Sequence, residues 1–506
     1  MLTEPRTAVV RRRWTPPDVA AIAPDVWLLI AITAMAGLLR FATLTHQSFW
    51  IDEATTVHEV GLPFGAMLHE IRINETTPPL YFALAWVWTR IFGAGELGIR
   101  SLSAVAGIAL VPVAYLCGRE LASRRAGVVT AALTAASPFM IWYSQEARSY
   151  MVFALMAALS FLYWARAIRT HASRDVAFWG VFSALAILTH FFAGFLVGPE
   201  AVWLLWRLRN RPVLFAVAGT AAVQLAVLPL AIGDTSHPLG WIAAFRLSAR
   251  IQQTPVDFAV SQLYLSPSWL AGHGLVEAAL AAGIVVGLLW FGRGTRERRA
   301  AASAATFAGF VILVPIALAE LGHDYVFARN FMPAWIPLAV VLGAACTAPR
   351  ARKTGAALAL LVVAGFLWAN FKINSSPAYE RPDWRGAASA LGAARGPRAI
   401  VAYDGNAAEQ PLAIYLTGTR FSYTGAATPS PAVKVTELDI VGDTGQVIAT
   451  PLPAGVRLIS STRVNDIFVV RFRLTPAWHL STVAIVSRAR ELLIPAATGA
   501  AVLIQP

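Results

Sequence analysis

The chain is short of charged residues and of cysteine. Only 14% of its 506 residues are Asp, Glu, Lys or Arg, whereas a soluble domain carries about 25%. Its two cysteines, Cys117 and Cys346, lie far apart in apolar segments, so we expect neither a disulfide framework nor a cysteine metal motif. No internal repeat, coiled coil or low-complexity tract is evident in the sequence. These absences argue against a soluble globular domain and a disulfide-stabilised secreted one.

Apolar residues dominate instead. They make up 57% of the chain and gather into runs of roughly 16–20 residues, about the length that crosses a bilayer as a helix. Short links rich in Arg separate the runs, and such links stay in the cytoplasm and meet anionic lipid head groups. The net charge of +13 therefore indicates membrane lipids, not nucleic acid, as a partner. The composition predicts a polytopic helical membrane protein.

The Arg clusters predict the topology, because they fall in every second loop when about eleven spans are counted. An Arg run at 11–13 precedes the first span, and no small-residue cleavage site follows it, so residues 1–25 read as a cytoplasmic tail and not as a cleaved signal. The predicted spans are 26–44, 101–117, 126–142, 150–166, 176–190, 194–207, 213–232, 274–292, 302–320, 331–347 and 355–371.

The apolar segment 78–92 would break this alternation if it crossed the membrane. Counting it as a span would move Arg119, Arg124 and Arg125 to the outer face. The segment is short, and its aromatic residues suit a membrane interface. We therefore predict a helix along the outer interface, within one large external loop over residues 45–99.

The segment 176–207 offers two interpretations, one long tilted helix or a tight hairpin near Gly194. A single helix of about 30 residues exceeds one bilayer thickness. Arg at both ends of the segment also favours the hairpin.

A soluble domain is predicted after the membrane region, which we place at 26–371. From residue 372 to 506 polar residues, Gly and Pro become more frequent. We expect a helix at 381–395 and strands at 399–403 and 467–474. The apolar stretch 483–504 is interrupted by charges and proline, so it is not counted as a span. The alternation places this α/β domain outside the cytoplasm.

Three charged motifs lie close to the predicted outer face. The first is Asp52-Glu53, directly after the first span; the second is Tyr143 to Tyr150; the third is His323 to Asn330. A carboxylate at that depth is costly and suggests a site. The alternative for Asp52 is a helix N-cap at the water interface, and position alone does not separate the two.

These motifs hold the groups needed for transfer from a phosphate-linked donor. A carboxylate can deprotonate an attacking hydroxyl, and a planar guanidinium binds phosphate oxygens bidentately and stabilises the leaving group. Structural alternatives exist for each residue. Glu146 and Arg148 could neutralise each other within a loop, and Arg329 could extend to lipid head groups.

The histidines give weaker signals. His190 lies near the outer end of its predicted span, where a lone histidine is either a packing residue or a substrate contact. His58 and His69 share the first loop with several glutamates, but no spacing there is diagnostic of a metal site. No cofactor is indicated, although a divalent metal ion stays possible.

At these residues the chain resembles the GT-C membrane glycosyltransferases, in particular the family 39 relatives that include protein O-mannosyltransferases and aminoarabinose transferases. The resemblance covers about residues 26–350, and its first and third pieces are the most specific. The pieces are Ser48–Ala54, Thr77–Tyr81, Tyr143–Tyr150, Thr189–Phe191 and Arg329–Phe331.

The resemblance implies a mainly α GT-C helical bundle with the catalytic acid on the first external loop. It implies a polyprenyl-phosphate sugar donor, inversion at the anomeric carbon, Asp52 as general base and Glu53 beside it. The residues implied in binding the donor phosphate or substrate are Glu146, Arg148, Tyr150, His190 and Arg329. Two departures stand out: Thr77 replaces a lysine of the aminoarabinose transferases, and no β-trefoil domain is recognisable after Pro349.

The favoured function is therefore an enzyme of the bacterial cytoplasmic membrane. It would transfer a sugar from a polyprenyl-phosphate carrier to a hydroxyl of a glycan, lipid or protein on the outer face. The alternative is a transporter or flippase of lipid-linked sugars, which would use the same arginines without a base. A transporter often shows two related halves and charges in span centres; no related halves are evident, and nearly all charges lie at span ends.

Overall fold

The computed structural model describes residues 24–75, 77–233, 242, 245–261, 274–403, 408–423, 431–443, 447–494 and 500–506. The predicted tail, residues 1–25, lies outside the described residues except for Pro24 and Asp25, which begin the first helix. Helices dominate as far as residue 391, and the β-strands follow it.

The helices, in chain order, have the following bounds. They are α1 Pro24–Phe41, α2 Ile51–Gly61, α3 Phe64–Asn74, α4 Leu80–Phe92, α5 Glu96–Leu121, α6 Arg124–Ala136, α7 Pro138–Ser144, α8 Tyr150–Thr170, α9 Ser173–Thr189, α10 Gly194–Leu208, α11 Arg211–Gly233, α12 Leu247–Val260, α13 Gly274–Gly292, α14 Thr295–Glu320, α15 Trp335–Cys346, α16 Arg352–Ser375, α17 Trp384–Leu391, α18 Glu409–Tyr415 and α19 Thr482–Arg490. Short 3-10 helices cover Phe191–Ala193, Ala328–Ala334, Pro349–Ala351 and Pro377–Tyr379.

Nine of the helices in the described ranges are long and apolar enough to cross a membrane. They are α1, α5, α8, α10, α11, α13, α14, α15 and α16, three of them lengthened by an adjoining 3-10 helix. The bent pair α6–α7 makes a tenth if it forms one span. The one remaining predicted span, 176–190, corresponds to α9, whose 17 residues lie at the lower limit of ~17 for a span. The predicted polytopic helical fold is thus confirmed.

Two predicted spans have a more detailed structure. The segment 126–142, expected as one span, is divided between α6 and α7, which meet at 56°. Ser137 begins α7 by accepting the N–H of Met140 at 3.3 Å. Pro138 follows at the start of the helix, where its missing N–H costs nothing. The Ser-Pro pair therefore ends one helix and starts the next in a new direction.

The segment 176–207 consists of two helices, as the hairpin interpretation predicts. α9 ends at Thr189, and His190 has an extended backbone conformation with φ of −159°. A 3-10 helix of three residues then leads into α10 at Gly194. This break places His190 at the junction of two helices.

The loop between α1 and α5 contains the short helices α2, α3 and α4. At 13 residues, α4 is too short to span a bilayer, for which about 17 residues are needed. One of its faces, with Tyr81, Phe82 and Ala85, is buried, and the opposite face leaves Val87 and Ile91 exposed. A helix of this kind fits the predicted position along a membrane interface; which face of the membrane it lies on stays a prediction.

The C-terminal domain is an α/β sandwich around a six-stranded sheet of order β2-β8-β1-β3-β6-β5. β1 is parallel to β3 and antiparallel to β8. Apolar residues of α17 and α18 pack on one face of the sheet and those of α19 on the other. The strands are β1 Arg398–Tyr403, β2 Arg420–Tyr423, β3 Val433–Asp443, β4 Val447–Ile448, β5 Val456–Val464, β6 Ile467–Leu480, β7 Leu493–Ile494 and β8 Ala500–Gln505. The strands predicted at 399–403 and 467–474 correspond to β1 and β6.

Candidate active site

The Asp52-Glu53 pair occupies the first turn of α2, where the helix dipole favours carboxylates. Glu53 accepts the backbone N–H of Trp50 at 3.4 Å, which closes the helix start in the manner of a capping box. The side chain of Glu53 is buried, whereas that of Asp52 is partly exposed. The two carboxylates therefore have different roles.

Glu53 is completely buried and bound by Arg100 of α5. The guanidinium donates to its two oxygens at 2.7 and 2.6 Å, and the N–H of Ala147 donates at 2.9 Å. Burial raises the pKa of Glu53, but the charge and hydrogen bonds of Arg100, together with the charge of Arg381 and the Ala147 N–H, hold the pKa below its usual range. Arg100 also donates to three backbone carbonyls before α2. Glu53 therefore joins α2, α5 and the 145–148 turn, which is a structural role.

Asp52 lies within reach of Arg329, which belongs to the 3-10 helix before α15. Arg329 Nη1 donates to Asp52 Oδ2 at 3.2 Å. The side chain of Asp52 is 28% exposed and that of Arg329 is 15% exposed. The Arg329 guanidinium also lies over the rings of Tyr150 and Phe327, at 5.5 and 5.2 Å. An accessible carboxylate and a guanidinium thus face the same space.

Glu146 is buried beside this pair and bound by a residue that sequence reasoning missed. Arg381, which follows α16, donates to Glu146 Oε2 at 3.0 Å; the other carboxylate oxygen, Oε1, has no hydrogen-bond partner. Burial raises the pKa of Glu146 to about 7, although the charge of Arg381 opposes the rise. Arg381 lies in the segment predicted only as a helix at 381–395, and no charge pattern there indicated a site.

Arg148 is bound by Glu75, from the loop between α3 and α4. Two hydrogen bonds of 2.8 and 3.2 Å join the guanidinium to the carboxylate, and Thr56 accepts a third at 3.2 Å. Nearby Glu59 is buried, with no hydrogen-bond partner for either oxygen. Burial, then the charge of Glu75, raises the pKa of Glu59 to about 9. The alternative that Glu146 and Arg148 neutralise each other is therefore wrong, since Arg148 pairs with Glu75 and Glu146 pairs with Arg381.

Tyr150 and His190 lie on the apolar side of the site. Tyr150 is buried at the start of α8, with its ring 5.1 Å from that of Tyr143. His190 stacks on Phe153 at 4.7 Å between ring centroids, and its Nδ1 accepts the N–H of Phe192 at 3.3 Å. These contacts favour the interpretation of His190 as a packing residue, because its ring stacks on Phe153 and lies 6.0 Å from the ring of Tyr150.

The C-terminal domain rests on the loop that carries Asp52. Phe49 donates its N–H to the hydroxyl of Tyr415 at 2.7 Å, and Thr55 donates to Gln410 at 2.6 Å. Tyr415 and Gln410 both belong to α18, and Phe49 and Thr55 flank Asp52 in sequence. The contacts of α18 therefore hold the start of α2 in place. Sequence reasoning assigned no role to this domain, since none of its motifs was recognisable.

A metal site in the first loop, the alternative considered for His58 and His69, has no set of ligands in the described part of the chain. No group of three or more His, Cys, Asp or Glu side chains there is arranged to hold a metal ion. His58 and His69 both lie on the helices of the first loop.

Comparison with known proteins confirms the resemblance to GT-C membrane glycosyltransferases. The family model of dolichyl-phosphate-mannose-protein mannosyltransferases matches residues 76–232. An uncharacterised protein of Aquifex aeolicus (strain VF5) is 26% identical over 189 residues, which are 36% of this chain and 37% of the relative. The alignment therefore spans little more than a third of that relative.

The fold is similar to that of ArnT from Cupriavidus metallidurans, a structure solved bound to undecaprenyl phosphate. The TM-score is 0.51 at 14% sequence identity, and the match covers 89% of this chain and 98% of ArnT. The similarity thus extends through the membrane helices into the C-terminal domain, and the predicted GT-C architecture is confirmed.

Proposed function

We propose that this chain is a membrane glycosyltransferase that moves a sugar from a polyprenyl-phosphate donor to a hydroxyl acceptor, with inversion and with Asp52 as general base. Two similarities support the class of reaction: the matched family model is that of mannosyltransferases acting from dolichyl phosphate-mannose, and ArnT binds undecaprenyl phosphate. The proposal that Asp52 is the base rests on one observation about the acidic side chains of the site.

That observation is the accessibility of Asp52. Its side chain is 28% exposed, whereas those of Glu53, Glu146 and Glu75 are 0%, 1% and 6% exposed. Each buried carboxylate is bound by an arginine of its own, Arg100, Arg381 or Arg148. An acceptor hydroxyl must approach within hydrogen-bond distance of its base, and Asp52 is the member of this set that it can reach.

In the proposed transfer step Asp52 acts on the acceptor hydroxyl, and the arginines act on the donor phosphate. Asp52 takes the proton of the acceptor hydroxyl, whose oxygen forms a bond to the anomeric carbon. The bond from that carbon to the phosphate oxygen breaks, and its electron pair leaves with the polyprenyl phosphate. Arg329 and Arg148 stabilise the charge on the departing phosphate. Attack from the face opposite the phosphate gives inversion.

An apolar groove supports a lipid-linked donor. It has a volume of about 510 Å³ and lies between α10 and α14, lined by residues from Gly194 to Trp206 and from Thr306 to Val314. Its Gly194 end follows Phe192, whose ring is 6.3 Å from that of Phe331. Phe331 is two residues from Arg329, so a chain that leaves a phosphate at Arg329 can enter the groove. We propose that the polyprenyl tail lies there.

The transporter alternative receives little support from the membrane interior. Glu200, in the middle of α10, is a buried acid that such a mechanism could use. Its carboxylate accepts hydrogen bonds from Ser160 at 2.5 Å and from Trp179 at 2.8 Å. These bonds join α10 to α8 and α9, as polar contacts between membrane helices do. We therefore assign Glu200 to helix packing.

We propose further that the site faces the outer side of a bacterial cytoplasmic membrane, with residues 372–506 outside. The loop that carries Asp52 and the C-terminal domain contact each other, so they share one face. The Arg-rich links at 124–125, 169–174 and 293–299 then lie on the cytoplasmic face.

The function is tested with a strain that lacks the gene. Mass spectrometry of its envelope glycans and lipids should show a structure shortened by one sugar, which names both the sugar and the acceptor. Expression of the wild-type chain should restore the sugar, and expression of the Asp52→Asn chain should not. Identical glycans and lipids in the deletion and parent strains would contradict the proposal.

A further inference from the structure

The chain that leads from α16 into the first turn of α17 contacts the candidate active site. We call residues 380–385 of this chain the entry segment, because it leads into the C-terminal domain. Hydrogen bonds of 3.0–3.1 Å tie its backbone to the loop before α2, joining Arg381 to Gln47, Pro382 to Ser48 and Trp384 to Ser48. The entry segment is therefore fixed to the loop that carries Asp52.

Arg381 extends from this segment into the interior of the site. Its side chain is 6% exposed, and it donates to Glu146 Oε2 at 3.0 Å and to the carbonyl of Gln145 at 3.3 Å. The guanidinium also lies 4.2 Å from the ring centroid of Trp142. An arginine with three separate partners in one place holds a defined geometry, since its planar fork is already organised for them.

Two partners of Arg381, Gln145 and Glu146, belong to the 145–148 turn, which connects both halves of the site. Its Ala147 N–H donates to Glu53, next to Asp52, and its Arg148 is bound to Glu75. A displacement of this turn would thus move the phosphate-binding Arg148 and loosen the helix start that aims Asp52. Arg381 is the contact through which the entry segment holds the turn.

We propose that Arg381 is a positioning residue of the active site, which acts through Glu146 and the 145–148 turn on Arg148 and Asp52. This inference rests on the proposed function, which assigns Asp52 as the base and Arg148 as a phosphate-binding residue. It also explains why the C-terminal domain is joined to the catalytic loop, since the entry segment completes the arrangement of that loop. A membrane domain without this segment would bind the donor phosphate poorly.

The charges around Glu146 provide a readout that is specific to this contact. Arg381 faces Glu146 from the entry segment, Glu53 and Asp52 from α2, and Arg329 from the 3-10 helix before α15. Burial raises the pKa of Glu146 to about 7, and Arg381 lowers it against that effect. Loss of the guanidinium should raise this pKa further, by ~1–3 units, as expected for an opposite charge at this distance.

The experiment compares Arg381→Gln, Arg381→Lys and Arg385→Gln in the purified full-length protein. Arg385 is a matched control, because it ties the same segment to Glu96 and to the carbonyls of Thr45 and His46, and these partners lie outside the 145–148 turn. The titration of Glu146 is followed by infrared difference spectroscopy of the protonated carboxyl group, assigned with Glu146→Gln. Binding of undecaprenyl phosphate is measured on the same samples.

We expect Arg381→Gln to raise the Glu146 midpoint and to weaken undecaprenyl phosphate binding at least about fivefold. Arg381→Lys should keep the midpoint closer to that of the wild type, and Arg385→Gln should change neither quantity. If Arg381→Gln does not fold, Glu146→Gln takes its place, with weakened binding as the supporting result and wild-type binding as the contrary one.

A wild-type midpoint and wild-type binding in Arg381→Gln would overturn the inference, as would an equal loss of binding in Arg385→Gln. Failure of the proposed function would give a different experimental result. In that case the wild-type protein itself neither binds undecaprenyl phosphate nor restores a sugar to the deletion strain, whatever the midpoint of Glu146 does in the variants.

Discussion

Arg329 Nη1 lies 3.2 Å from Asp52 Oδ2, although 277 residues separate the two in sequence. The pair joins the first loop of the chain to the 3-10 helix before α15. Both side chains keep some exposure, 28% for Asp52 and 15% for Arg329. In the proposed reaction the guanidinium exchanges part of this contact for the donor phosphate, and the carboxylate becomes free to take the acceptor proton.

The two arginines should determine the affinity for the donor phosphate. We expect Arg329→Lys and Arg148→Lys each to weaken the binding of undecaprenyl phosphate about tenfold or more, because lysine lacks the planar fork and a hydrogen bond to a charged group is worth ~1.5–3 kcal/mol. Arg169→Lys, an exposed arginine paired with Glu120, is the control and should bind normally. Unchanged affinity in both site variants would assign these arginines to structure alone.

The groove between α10 and α14 should hold the lipid tail. A side chain added at Gly198 meets no atom within 4 Å, so Gly198→Phe should fill the groove without disturbing the helix contacts. We expect weaker binding of undecaprenyl phosphate and little change in the thermal unfolding temperature. Gly219→Phe is the matched control, since Gly219 on α11 also has open space around it but lies outside the groove. Equal binding by the two variants would place the tail elsewhere.

Glu59 should make the protein less stable as the pH rises. Burial and the charge of Glu75 raise its pKa to about 9 from an ordinary 4.5. The folded chain therefore keeps a proton that the unfolded chain releases between these values, and stability falls across that window with a slope of up to ~1.4 kcal/mol per pH unit. Glu59→Gln should unfold at a higher temperature than the wild type at pH 8 and at a similar one near pH 4.5.

Thermal unfolding in detergent at the two pH values measures this difference. Glu491→Gln serves as the control, because Glu491 is exposed at the end of α19 and should give the wild-type dependence on pH. A Glu59→Gln variant less stable than the wild type at pH 8 would show that the carboxylate is charged in the folded protein and paired there.

The orientation of the chain can be read from the labelling of single cysteines in intact cells. On a background without Cys117 and Cys346, a membrane-impermeant thiol reagent should label Ser389→Cys and leave Thr295→Cys unlabelled. Both positions are exposed, Ser389 on the C-terminal domain and Thr295 at the start of α14, within the Arg-rich stretch 293–299. The reverse result would place the site on the cytoplasmic face and exclude the proposed envelope acceptor.

Local patterns in the sequence were enough to predict much of this structure. Apolar run length and Arg alternation predict the membrane helices, and the length of segment 176–207 with Arg at both ends predicts the division of α9 from α10. The bend at Ser137 was not predicted, because hydropathy averaged over a whole span carries no information on a change of helix direction within it. Its signal, Ser followed by Pro, was present in the sequence.

The partners of the site residues could not be predicted in the same way. Glu53 and Asp52 are adjacent in sequence, and only the fold shows that Arg100 binds the first and Arg329 lies beside the second. Arg381 contributes from a segment 235 residues away from Glu146, without a motif to connect them. Sequence motifs locate charged groups near one face, whereas pairing depends on how distant helices pack.

Replacing Asp52 by asparagine tests the proposed mechanism most directly, because the change is nearly isosteric and removes only the base. Once the deletion strain has identified the sugar and acceptor, turnover of purified Asp52→Asn should fall ~10²–10⁴-fold, with the thermal unfolding temperature and undecaprenyl phosphate binding retained. Glu53→Gln offers the contrast: it should lower the unfolding temperature, because it breaks the buried pair with Arg100. If Asp52→Asn keeps more than about a tenth of wild-type turnover, Asp52 is not the base.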